Sequence, residues 1–164
     1  MGRAWTFGAD VNTDVITPGR FNLTTDPSEL AEICFCEVRP DFSINVQQGD
    51  FVVAGEHFGS GSSRETAAVA LAATGIEAVI APTFARIFYR NALNVGLLAV
   101  MAPTEGIEDG DDLQLDAPNG RLINRTQGTE VAIDPPPRFV REIVDAGGVV
   151  AYLNAHGGEL PAMD

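Results

Sequence analysis

The sequence predicts an α/β domain: a partly parallel sheet flanked by helices, with a β-rich C-terminal part. Three observations predict it. Between residues 51 and 101, short apolar runs alternate with helix-favouring segments in the order strand, loop, helix, strand, helix, strand. That alternation is the pattern of parallel strands joined by right-handed crossovers. After residue 112 the helical segments give way to short apolar runs separated by turn residues, which read as antiparallel strands. The length of 164 residues suits one core that buries about two-thirds of the unfolded surface.

Each element has its own warrant. Residues 8–27 are polar and loop-like, with Thr13, Asp14, Thr17, Pro18, Gly19, Asn22, Thr24 and Thr25; irregular segments of this length are often functional. Asp26 is placed to cap a helix that opens with Pro27 and carries Leu30, Ile33 and Cys34 on one stripe. Gly49-Asp50 is a turn, and Phe51 to Ala54 a strand stopped by Gly55. Helix is expected over Arg64 to Ala73, ended by Gly75. Ala78 to Ala81 is the next strand, Phe84 to Asn94 the next helix and Leu97 to Met101 a further strand. Leu113 to Leu115 and Leu122-Ile123 flank the turn Pro118-Asn119-Gly120 as a hairpin, with Val131 to Ile133 as its third strand. Arg138 to Ala146 is a helix stopped by Gly147-Gly148, and Val149 to Ala155 a short one. We expect one domain over residues 1–157 and a frayed tail over 158–164.

Charge excludes some partners. Ten basic against 23 acidic residues give a net charge of −13, a surface that repels phosphate backbones and anionic membranes. We therefore expect no nucleic-acid partner and no membrane partner; no apolar run is long enough to span a bilayer. The acids crowd residues 105–116, whereas residues 84–90 carry Arg86 and Arg90 without an acid. A basic pocket for a small anion is compatible with that distribution. Cys34 and Cys36 form neither a disulfide framework nor a tetrahedral zinc set. They read as two ordinary buried thiols in a reducing compartment. Residues 1–10 hold no apolar signal region, and the expected location is cytoplasmic.

The segment that points to chemistry is Gly59-Ser60-Gly61-Ser62-Ser63-Arg64-Glu65, between a predicted strand and a predicted helix. Glycines let the backbone turn sharply and approach a ligand, and a helix start offers unpaired N–H groups to anions. Arginine suits bidentate carboxylate binding. Spacing alone leaves a plain alternative open, in which a serine merely caps a helix and Arg64 is solvated. The segment lacks the Gly-Lys-Ser/Thr end of a P-loop and the spacing of a dinucleotide fingerprint. No elbow motif surrounds Ser62 and the only histidines are His57 and His156, which disfavours a serine hydrolase.

Three blocks carry a resemblance. Gly55-Glu56-His57-Phe58-Gly59-Ser60-Gly61-Ser62-Ser63-Arg64-Glu65 resembles the signature of the aconitase swivelling domain. Thr83-Phe84-Ala85-Arg86-Ile87-Phe88-Tyr89-Arg90-Asn91-Ala92 is similar to a second block, with Thr83 where serine is usual. Asp10-Val11-Asn12-Thr13-Asp14-Val15-Ile16-Thr17-Pro18 is similar to a third. They fall in the family's order within roughly residues 5–155. The branch most resembled is that of the small subunits of isopropylmalate dehydratase and homoaconitase-like hydro-lyases. The resemblance implies a swivelling-type β/α domain that works with a large subunit.

That family moves water off and onto a hydroxy-acid, with a [4Fe-4S] cluster as Lewis acid. Two closely spaced cysteines cannot hold such a cluster. The resemblance therefore implies no cofactor or metal on this chain, and a cluster on the partner large subunit. By motif position it makes Ser62 the catalytic base, with Ser63 and Arg64 binding substrate, and it places Asp14 near the active site. A turn-capping role for Asp14 is the equal alternative. Arg86 and Arg90 share a helix face and are expected to be structural, bracing the loop or meeting the large subunit; His57 is also read as structural. The loop Pro18 to Asp26 is implied to reach the substrate's variable group, through Arg20, Leu23 and Thr24.

Homoaconitase-like members carry an arginine at the apparent position of Leu23. An apolar residue there favours an alkyl-malate over an extra carboxylate, unless Arg20 swings in. The substrate expected is a small di- or tricarboxylate, first of all isopropylmalate on the way to leucine. Thr66, where many leucine-pathway members have histidine, leaves room for a homoaconitase, citraconate or dimethylmalate type. A non-catalytic carboxylate-binding module is the alternative of another class.

Overall fold

The computed structural model describes residues 1–163. Seven strands form one sheet: β1 Gly2–Thr6, β2 Phe51–Val53, β3 Ala78–Ala81, β4 Leu98–Met101, β5 Asp112–Asp116, β6 Arg121–Asn124 and β7 Thr129–Ala132. Their order is β4-β3-β2-β1-β5-β6-β7. The half from β4 to β1 is parallel, and β1 then pairs antiparallel with β5, which continues into the β6 and β7 hairpins. The partly parallel sheet with a β-rich C-terminal flank is the architecture expected.

Seven α-helices accompany it among the described residues: α1 Thr13–Ile16, α2 Pro27–Glu32, α3 Pro40–Asn45, α4 Thr66–Ala73, α5 Arg86–Asn94, α6 Arg138–Asp145 and α7 Val149–Ala155. The parallel half of the sheet is buried on both sides. Trp5, Val52 and Val79 face one layer, where Leu30 of α2, Phe42 of α3, Leu71 of α4 and Phe88 of α5 close over them. Ala4, Phe51, Val53 and Ile80 face the other, packed with Leu113 and Leu122 of the hairpin and Val140 of α6. Two-sided burial explains why these strands read as unbroken apolar runs.

Several expectations shift. β1 was not foreseen, although it is the strand on which the sheet changes from parallel to antiparallel pairing. The loop-like 8–27 segment contains α1, capped by the Asn12 side chain, and a 3-10 turn over Gly19–Phe21. α3 was also missed. α4 begins at Thr66 rather than Arg64, so the Ser62-Ser63-Arg64 run precedes the helix. α5 begins at Arg86 rather than Phe84, because Phe84 forms a strand-like bridge with Phe58 and Ala85 is extended. Asp26 caps α2 as expected, accepting from the N–H groups of Ser28 at 2.9 Å and Glu29 at 3.2 Å. Of the two thiols only Cys34 is buried; Cys36 lies in the turn after α2 and is partly exposed. Residues 158–163 form no helix or strand, with Pro161 buried among them, and Asp164 lies outside the described residues.

Candidate active site

The parallel strands all end on one side, and the loops that leave them continue the register as isolated bridges. Asn12 pairs with Ser60, and Phe58 with Phe84. The N-terminal block, the serine loop and the Thr83–Ala92 block are thus three neighbours across the sheet, though far apart in sequence. The edge beyond the carboxyl ends of parallel strands is where open α/β sheets bind ligands.

Thr13 holds the loop from both sides. Its N–H donates to the Ser60 carbonyl at 2.8 Å, and its Oγ1 accepts from the Ser62 N–H at 3.0 Å. Gly59 N–H donates to the Val11 carbonyl at 2.7 Å. Gly59 and Gly61 both have positive φ, +82° and +105°, which L-residues with side chains adopt at a cost. A Cβ on Gly59 would lie 2.2 Å from Cγ of Phe88, so the ring beneath the loop also demands glycine. From α5, the Asn91 Nδ2 donates to the Ser63 carbonyl at 3.3 Å.

This cradle presents Ser62. Its Oγ accepts from the Arg64 N–H at 3.2 Å and from the Arg64 Nε at 3.0 Å. Two donors, one cationic, converge on one hydroxyl oxygen, an arrangement that favours its ionised form. Nε–H is one of five guanidinium donors. The terminal nitrogens of Arg64 make no hydrogen bond or ion pair among the described residues, which leaves these donors open to a carboxylate. Ser63 and Arg64 are exposed and Ser62 is half-buried.

An open cleft of about 580 Å³ adjoins Arg64, lined by Asn22, Leu23, Thr24, Thr25 and Thr66 as well. Leu23 projects freely, 89% exposed. The Thr24 Oγ1 accepts from the Asp26 N–H at 3.0 Å. Asp14 accepts from the Gly19 N–H at 2.8 Å and so shapes the turn that enters this loop. Arg20 does not line the cleft; its guanidinium pairs with Glu37 at 2.5 Å and lies 4.6 Å over the Phe21 ring. Arg86 and Arg90 are exposed and make no ion pair among the described residues. The bracing expected of them comes from Asn91 and Phe88. His57 also has positive φ, +61°, and its Nδ1 lies 3.1 Å from the Asp10 carboxylate beside the loop.

A larger groove, about 660 Å³, lies at the ends of β1, β2 and β4. Glu56 and Glu105 line it and no cation does, so it is unsuited to an acid substrate. Among the described residues no group of three or more His, Cys, Asp or Glu could hold a metal ion. The two thiols do not fit an iron–sulfur cluster either: Cys34 is fully buried and burial pushes its thiol far up from the ordinary range, against the thiolate a metal needs. Among the described residues no helix is long and apolar enough to cross a membrane.

Sequence reasoning missed Thr13, Asn91 and Asn22 as parts of this site, and read Thr66 only as a departure from the family's usual histidine. The first two stood inside recognised blocks, but nothing in the spacing says which side chains of a block touch the loop.

Known proteins resemble this chain along most of its length. Residues 10–105 match the aconitase C-terminal domain model. The 3-isopropylmalate dehydratase small subunit 1 of Archaeoglobus fulgidus is 53% identical, over 94% of this chain and 97% of that one. The 3-isopropylmalate dehydratase small subunit of Methanosarcina mazei is 51% identical, over 92% and 94%. A crystal structure of 3-isopropylmalate dehydratase from Methanocaldococcus jannaschii superposes with a TM-score of 0.90 at 47% identity, covering 95% of this chain and 93% of that one.

Proposed function

The chain belongs to the aconitase C-terminal domain family, and from that premise we propose that it is the small subunit of a hydro-lyase that interconverts 2- and 3-isopropylmalate, in leucine biosynthesis. The observation that carries this reading is the pair of Arg64 donors on the Ser62 oxygen. Relatives named small subunits support a large subunit as partner. With no fit for a cluster on this chain, that partner bears the [4Fe-4S] group.

The chemistry left to this chain is proton transfer. Dehydration of an alkyl-malate takes a weakly acidic proton from a carbon beside a carboxylate. Ser62 receives it as an alkoxide and returns it in the hydration direction. A bare serine hydroxyl is a poor base because its ionised form is costly. Hydrogen bonds to a charged group are worth about 1.5–3 kcal/mol each, and Ser62 accepts two from Arg64. The same guanidinium offers its terminal nitrogens to the carboxylate beside the reacting carbon, so one residue aligns base and substrate. Ser63 adds a hydroxyl at the same mouth. Leu23 meets the alkyl group, and Thr24 lines the cleft beside it. Asp14 and Arg20 act at one remove, by fixing the turn at Gly19 and by anchoring the loop to Glu37.

The test is assembly with a cluster-bearing large subunit and an assay of isopropylmalate dehydration. Ser62→Ala is expected to lower turnover by about 10³-fold, the scale of losing a preorganised group of about 4 kcal/mol, with assembly and melting temperature retained. Near-normal turnover of that variant overturns the assignment. So does turnover by the isolated chain.

A further inference from the structure

We propose that Asn22 and Thr66 form a clasp that sets how far Leu23 stands from Arg64, and that this pair tunes which alkyl group the site accepts. The proposal rests on the functional reading above and adds two positioning residues to it.

The Asn22 Nδ2 donates to the Thr66 Oγ1 at 3.0 Å, across 44 residues of sequence. Asn22 ends the 3-10 turn Gly19–Phe21, and Thr66 is the first residue of α4. Among the described residues, no other hydrogen bond joins residues 19–25 to α4 or to the serine loop. The turn itself is stiff: Asn22 N–H donates to the Gly19 carbonyl at 3.2 Å and Leu23 N–H to that of Phe21 at 2.9 Å. A stiff turn tied at one point moves as a unit, and Leu23 moves with it. Thr66 sits two residues beyond Arg64, so the tie fixes the apolar contact against the residue that grips the carboxylate.

The Asn22 amide is a poor source of stability. Its Oδ1 is buried and has no hydrogen-bond partner among the described residues. Turning the amide over would let the Thr66 hydroxyl donate to Oδ1, but would strand the NH2 group in the same position. A half-paired buried amide costs more than a matched apolar pair of similar shape. What the pair offers over such a replacement is direction: a hydrogen bond holds two groups at a set distance and angle, whereas an apolar contact allows sliding. The Thr66 hydroxyl acts as acceptor in this bond, which leaves its own proton to donate, and Thr66 lines the cleft together with Arg64.

The test uses Thr66→Val, Asn22→Leu and Thr66→Ser. Hydrogen exchange on the chain by itself needs no substrate. Thr66→Val and Asn22→Leu should speed exchange in residues 19–26 while β2 and β3 keep their protection, and Thr66→Ser should behave as the parent. In the enzyme assembled with its large subunit, the ratio of kcat/KM for isopropylmalate over ethylmalate should fall about tenfold in Thr66→Val, the scale of one-carbon discrimination in an apolar pocket. The loss should appear mainly in KM, and Thr66→Ser should restore the ratio. Unchanged exchange in both disruptive variants overturns the clasp. Faster exchange with a ratio kept within about twofold overturns its part in selection. A parent enzyme that turns over no alkyl-malate overturns the hydro-lyase reading instead, and the exchange data still decide the clasp.

Discussion

The two ends of the same parallel strands are built on opposite plans. At their beginning stands Asp50, buried at 4% exposure. Its carboxylate accepts from the Arg3 N–H, the Trp5 Nε1 and the Gln47 N–H, each at 2.9 Å. Three donors from three residues saturate it, and it ties β1 to the turn before β2. At their end stands Ser62, half-buried, with both of its oxygen's donors supplied by one exposed residue. Asp50 cannot be reached or redirected. Ser62 can, because a ligand that engages Arg64 alters everything its oxygen feels. The polar group that ties the fold is paired three times over and shut away, whereas the one proposed for chemistry is held by a single neighbour at an open edge.

Exchanging the losses sharpens this contrast. Ser62→Ala carries the largest expected effect on turnover and little on stability. Asp50→Ala should do the reverse. It leaves the buried Trp5 Nε1 and the part-buried N–H groups of Arg3 and Gln47 without their acceptor, at about 1–3 kcal/mol for a buried donor, and should lower the unfolding free energy by about 3 kcal/mol or more. Equilibrium urea unfolding of both variants checks it. Equal destabilisation by the two substitutions would break the comparison.

Gly59 tests whether packing, rather than hydrogen bonding, sets the open end. Gly59→Ala places a Cβ against the Phe88 ring and keeps φ at +82°. Positive φ costs about 1–2 kcal/mol and overpacking about 1–3 kcal/mol, so a loss near 3 kcal/mol is expected. Phe88→Ala in the same chain removes the clash but not the backbone cost. The double variant should therefore lose less than the sum of the two single changes, as neighbours that share a contact do. Strict additivity, read from the same unfolding curves, would mean the ring does not shape the loop.

The contrast also explains what the sequence made legible. Helix α4 was readable as an alanine-rich run with a glycine stop, β3 as a contiguous apolar run, and α5 from Ile87, Phe88 and Leu93 on or near one face. The serine loop was readable as a glycine-rich turn between strand and helix, and the three blocks together pointed to its family. β1 escaped because Ala4 and Trp5 are buried on opposite faces, which erases the alternation that marks a half-exposed strand. α1 and α3 are too short, at 4 and 6 residues, to show a helical period. The starts of α4 and α5 were misplaced by two residues because the loops borrow sheet register before each helix begins. Asp50 read only as a turn residue, Asn22 as one polar residue of the 8–27 loop, and Thr66 as a departure from the histidine common in leucine-pathway members. Their roles lie in contacts across 44 to 47 residues, which no local pattern records.

An acid at the open end supplies the smallest effect. Asp109 accepts from Nη1 and Nη2 of Arg39, both at 2.7 Å, and from the Thr6 N–H at the end of β1. The Arg39 hydrogen bonds, above all, hold its carboxyl down at about 2. A carboxyl lowered on folding stabilises above its unfolded value, about 3.9, and that contribution disappears as pH falls through 2. With more than a third of the Asp109 side chain exposed, solvent screening limits it to about 1 kcal/mol or less. Asp109→Asn should thus lower the urea midpoint slightly at pH 5 and not at pH 2. Asp109 is paired as fully as Asp50 but lies in water, so the two carboxylates separate pairing from burial. A larger loss from Asp109→Asn than from Asp50→Ala would mean that pairing alone, and not burial, distinguishes the two ends of the sheet.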